Sequence, residues 1–175
     1  MTDAPAPIRP SQLWKRLPPD RRRVAAEAFW RDENAASEQA DVLAAIAQRI
    51  RFRLKSVYAM PLEKKVQQLL ALPGVSEAAA ARLLVAYHLE QQRPMMGRFL
   101  DALGIAHEDG LIADESLAAP APDRLRAASD TLAAAFPAGD VSLYFSTLLW
   151  QDPETWGGLA ELPQLREPSP APQGS

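Results

Sequence analysis

From about Ser11 to residue 160, apolar side chains return every three or four residues. No stretch alternates apolar with polar in the two-residue rhythm of a strand. That period gathers the apolar groups on one side of a helix, and such a face must be covered by another helix. The expected fold is all-α: a single-domain orthogonal helical bundle of six or seven helices spanning residues 11–160. The flanking segments 1–10 and 161–175, with "TDAPAPIRP" and "PQLREPSPAPQGS", are rich in Pro, Ala and Ser and poor in large apolar groups. Both are expected to be disordered tails.

Caps and breakers divide the helical region. Ser11 is expected to cap a helix through Leu17 that carries Trp14. Pro18-Pro19-Asp20 ends it and opens a second through Arg31, with Val24, Ala28 and Phe29 or Trp30 inward. Ser37 caps a third running to about Leu54, on which Leu43, Ile46, Ile50 and Leu54 make one face. Pro61 starts the next, with Leu62, Val66, Leu69 and Leu70 as its stripe. Ser76 caps a helix from Glu77 to about Gln92 that is apolar nearly all round, the mark of a bundle's centre. Pro94 opens a helix bearing Met95, Met96, Phe99, Leu100 and Leu103, and Gly104 closes it. Residues 105–122 read as a loop. Asp123 and Asp140 cap two further helices, and Asp152-Pro153-Glu154 begins a last turn at Trp156.

Composition narrows the function. The chain has 175 residues, a length that suits one domain, and no cysteine, which excludes disulfides, thiolate metal sites and a cysteine nucleophile. No basic start is followed by an apolar block, and no window is long and apolar enough for a membrane helix, so a cytoplasmic chain with no membrane partner is expected. The net charge of −3 is unevenly spread. Residues 1–100 hold 16 Lys/Arg and 10 Asp/Glu, whereas residues 101–175 hold 3 and 12. Either the first part meets an anionic partner or the two parts attract each other within one fold.

No phosphate loop, dinucleotide fingerprint or nucleophile elbow is present. His88, alone on the most apolar helix, reads as an interior hydrogen-bonded residue. In "IAHEDGLIADES" a calcium loop would need oxygen ligands at Ile105, His107 and Ser116, so an EF-hand is rejected. Met95 and Met96 have the spacing of core residues. No catalytic residue, cofactor or metal ligand is expected, and an enzyme is the less favoured class.

Two stretches suit an anionic macromolecule. In "QRIRFRLK", Arg49, Arg51, Arg53 and Lys55 alternate around Phe52, offering phosphate contacts and a stacking ring. On one continuous helix, Arg49 and Arg53 would share a face and Arg51 would not. Arg21-Arg22-Arg23, at a helix start, is a further basic run. The second stretch, "LLALPGVSEAAAARLL", joins two helices through Leu72, Gly74, Val75 and Ser76. Over residues 62–84 it resembles the helix-hairpin-helix motif of sequence-independent DNA-binding proteins. That resemblance implies that hairpin amides and the next helix N-terminus hold a backbone phosphate. Ser76 stands where the motif has its second glycine, and Glu77 puts a carboxylate near the phosphate position. Lys64 and Lys65 precede the hairpin by about 13 Å of helix. A plain turn would instead have Gly74 close one helix and Ser76 cap the next.

The leading expectation is a non-enzymatic helical adaptor that binds another macromolecule, whose identity the sequence does not specify; another protein is one candidate. The alternative is weak, sequence-independent binding of nucleic-acid phosphates through Arg49, Arg53, Lys64, Lys65, Gly74 and Ser76.

Overall fold

The computed structural model describes residues 8–114 and 116–165. Among these, ten α-helices follow in order: α1 (Pro10–Arg16), α2 (Pro19–Arg31), α3 (Ala36–Ile50), α4 (Leu54–Tyr58), α5 (Leu62–Ala71), α6 (Glu77–Gln91), α7 (Arg93–Leu103), α8 (Pro122–Ala135), α9 (Ala138–Gln151) and α10 (Pro153–Trp156). The protein is an all-α helical bundle. Its helices outnumber the six or seven expected: the 7-residue α1 and the 4-residue α10 fall where a short helix and a last turn are read from sequence, whereas the 5-residue α4 falls in a stretch that reads as the end of the third helix and the link after it. Contacts divide the chain into two compact units, Ile8–Arg93 and the part from Pro94 onward.

In the first unit α6 packs against α1, α2 and α3, and α5 packs against α2 and α3. Leu83 and Leu84 of α6 are fully buried, as are Phe29 of α2 and Ile46 of α3. The near-continuous apolar character of α6 follows from this placement, since helices cover several of its sides. The buried residues of α2 are Ala25, Ala26 and Phe29, so its inward face is turned from the Val24–Ala28 stripe expected. The start of α1 also departs from expectation. Ser11 lies inside the helix, and its amide and hydroxyl both donate to the Glu77 carboxylate, at 3.1 and 2.6 Å. Glu77 thereby caps α1 while occupying the first turn of α6, where the helix dipole favours its charge. Burial tends to raise the Glu77 carboxyl, but the Ser11 hydroxyl, the Ser11 amide and the Arg9 charge together hold it below the usual carboxylate range.

In the second unit Phe99 of α7 is the hub of an aromatic cluster. Its ring centroid lies 5.8 Å from Tyr144, 5.0 Å from Phe145 and 5.8 Å from Trp156. Met95 and Met96 are buried beside it in the same helix. Gly104, with φ +70°, closes α7. α8 begins at Pro122 and α9 at Ala138, which leaves Asp123 and Asp140 in the first turns rather than at the caps. Asp152 does cap α10, accepting from the Thr155 amide at 3.1 Å. Helical turns continue to Leu165 and bury Leu162, five residues past the boundary expected at 160. Of the tails expected at 1–10 and 161–175, residues 1–7 and 166–175 lie outside the described residues, and Pro10 already belongs to α1.

The stretch read as a loop contains a small hairpin, β1 (His107–Glu108) paired antiparallel with β2 (Leu111–Ile112). Asp109 and Gly110 both have positive φ, the condition for a two-residue hairpin turn. His107 ties the hairpin to α7. Its Nδ1 accepts from the Gly110 amide at 3.0 Å, so its Nε2 carries the proton donated to Asp101 at 2.7 Å.

Candidate macromolecule-binding surface

The division into two units coincides with a change in charge. Ile8–Arg93 holds fifteen Lys/Arg and nine Asp/Glu, a balance of +6; residues 94–165 hold three and eleven, a balance of −8. Several acids of the first unit are occupied internally. Arg23 bridges Glu27 at 3.3 Å and Glu63 at 3.1 Å, and Arg82 meets Glu38 at 3.6 Å. The Arg21–Arg23 run therefore spends part of its charge inside the fold.

The "QRIRFRLK" stretch is not one helix. α3 stops at Ile50 because Arg51 takes the left-handed conformation, φ 56° and ψ 37°. The Arg51 and Phe52 amides both close onto the Ala47 carbonyl, the ending usually made with glycine. Phe52 and Arg53 then lead to α4, held down by fully buried Val57. Arg49 and Arg53 therefore do not share one helical face. Leu54, expected inward on α3, begins α4 and is exposed; Leu62, expected inward on α5, is exposed as well.

The outcome is a ridge. Four of the six exposed large apolar side chains among the described residues are Phe52, Leu54, Tyr58 and Leu62, with exposures from 36% to 56%. Arg49, Arg51, Arg53 and Lys55 are all exposed beside them. Among the described residues none of these four cations meets a carboxylate, and no Asp or Glu occurs from Val42 to Leu62. Lys64 follows Leu62 by two residues and is exposed. Lys65 is engaged differently, lying over the Trp30 ring with Nζ 5.8 Å from its centroid.

Gly74 and Ser76 belong to the other end of α5. The Ser76 hydroxyl caps α6, accepting from the Ala79 amide at 3.2 Å, as its sequence position implied. Gly74 does not have a positive φ; Leu72, extended at φ −63° and ψ 137°, makes the turn. The Gly74, Val75 and Ser76 amides have no hydrogen-bond partner among the described residues. A methyl group added at Gly74 would lie 3.9 Å from both Cε and Nζ of Lys15. This cation, 59 residues earlier in the chain, leaves no signal around the hairpin in sequence. A cleft of about 120 Å³ beside the turn is lined by Asp41, Val42, Ala45, Leu72, Gly74, Val75 and Ser76. The candidate residues are thus spread over several elements: Arg49 in the last turn of α3, Arg53 before α4, Lys64 in the first turn of α5, and Gly74 and Ser76 past its last, about 15 Å from its start by helix rise.

The histidines have structural roles. His88 is buried, and its Nδ1 lies 2.7 Å from the Leu84 carbonyl, which fixes the proton on Nδ1. His107 holds the hairpin. Among the described residues no three His, Asp or Glu side chains gather as a metal site, and no helix is long and apolar enough to cross a membrane. No protein-family model, curated protein or solved structure matches the chain.

Proposed function

We propose that this chain is a non-enzymatic binding protein that holds an anionic macromolecule on the Arg49–Leu62 ridge of its basic unit. The observation that carries this reading is the coincidence, in one stretch of chain, of four exposed apolar side chains with four cations that meet no carboxylate among the described residues. Apolar area and unpaired cations on one surface are the parts from which binding anchors are made. The test is parallel capture from an extract of the native cells by the parent chain and by Phe52→Ser/Tyr58→Ser. A macromolecule recovered by the parent and lost by the variant supports the reading. Capture that is unaltered by the variant, or absent from both, contradicts it.

A second reading places a nucleic-acid phosphate on the Leu72–Ser76 turn, as in the helix-hairpin-helix motif that the segment resembles. Its support is the set of amides left unbonded among the described residues, together with Lys15, which supplies a positive charge beside Gly74. Asp41 in the adjoining cleft and Glu77 oppose it by like charge. Lys15→Glu is expected to abolish any binding of a labelled duplex through this turn; duplex affinity unchanged by Lys15→Glu contradicts the reading.

A further inference from the structure

The chemistry of the ridge specifies its partner more closely than negative charge alone. We propose that it takes single-stranded nucleic acid, with phosphates on Arg49, Arg51, Arg53 and Lys55 and bases stacked on Phe52 and Tyr58. This rests on the reading of the ridge as a binding surface. Phe52 lies two residues before α4 and Tyr58 is its last residue, and both are about half exposed, at 56% and 49%. A duplex keeps its bases stacked on one another and would use only the cations. A single strand presents ring faces as well as phosphates, and so uses both parts of the ridge. No Asp or Glu occurs in the chain from Val42 to Leu62, so none within the segment itself opposes a phosphate.

Arg51 holds a left-handed conformation that glycine would adopt with less strain. In the chain Arg51 and Arg53 stand on either side of the exposed Phe52. With the cations engaged by phosphates and the rings by stacking, binding is expected to tolerate sequence.

The experiment is fluorescence anisotropy of the full chain with labelled oligothymidylate and oligouridylate of about twenty nucleotides, enough for several bases per site. Log affinity against log salt is expected to fall with a slope of about −2 to −3, from three or four phosphates at about −0.7 each. Phe52→Leu and Tyr58→Leu keep apolar area but remove the ring. Each is expected to weaken binding at least about fivefold, whereas Phe52→Trp restores it. No binding of either oligonucleotide at low salt overturns the proposal. So does equal binding of a duplex with no effect of the leucine variants, which would indicate charge alone. Equal affinity for polyglutamate or for anionic phospholipid vesicles overturns it in the same way. If the oligonucleotides fail but Phe52→Ser/Tyr58→Ser still loses a captured protein, the nucleic-acid assignment falls and the binding surface stands; if both fail, both fall.

Discussion

Glu77 is the residue at which local and tertiary requirements meet. One carboxylate serves the first turn of α6 and the part-buried amide of Ser11 in α1, so it joins segments 66 residues apart. Glu77→Gln is expected to lower stability by about 1–2 kcal/mol at pH 7, the usual range for a charged hydrogen bond at a partly exposed site. The folded carboxyl titrates below its unfolded value. Its contribution is therefore complete above the unfolded pKa and is lost as pH falls below that value and through the folded one. Denaturant unfolding of parent and variant should converge over that window; a constant difference at all pH values would contradict this role. In the second unit Phe99 is fully buried among three aromatic rings. Phe99→Ala is expected to lose about 3–5 kcal/mol, part of it from the cavity left behind, as measured by equilibrium unfolding.

At the scale of elements, the end of α3 decides the character of the candidate site. Apolar spacing at Leu43, Ile46, Ile50 and Leu54 fits a continuous helix, and nothing in residue type announces a left-handed arginine. Sequence therefore identified the cations and Phe52 but not the break that separates Arg49 from Arg53 and exposes Leu54. Most helices were legible because Pro, Gly and Ser mark their ends, as at Ser76 and Gly104. The hairpin at His107–Ile112 was missed although Asp109-Gly110 is a turn signal, because its strands have two residues each and cannot show alternation. Lys15 was missed at the Gly74 turn because only the packing of α1 on α6 brings it there. Arg51→Gly separates strain from charge. It should stabilise the fold by up to about 1 kcal/mol, since glycine tolerates positive φ. It should also reduce the salt slope for single strands by about 0.7 through the loss of one cation. A less stable variant, or an unchanged slope, would remove Arg51 from that role.

At the scale of the molecule, charge and architecture share a boundary. The +6 and −8 balances belong to separate compact units, so the overall net charge of −3 conceals a strongly basic one. Within that basic unit, α6 is the element that the other helices cover. Leu84→Asp places an unpaired charge at a fully buried position. It is expected to remove several kcal/mol, comparable to a typical domain's whole margin. Circular dichroism melting should show early loss of part of the helical signal; a parent-like melt would mean that α6 is not central.

The central claim is that the ridge makes this net-negative chain a ligand for polyanions. The direct measurement is retention on a heparin column at pH 7 under a salt gradient, comparing the parent with Arg49→Ser/Arg51→Ser/Arg53→Ser/Lys55→Ser. A uniformly mixed surface with net charge −3 would be repelled. The account predicts that the parent is retained and elutes with rising salt, and that the variant passes through while keeping the parent's circular dichroism spectrum. A parent that passes through, or a variant retained as strongly as the parent, would contradict it.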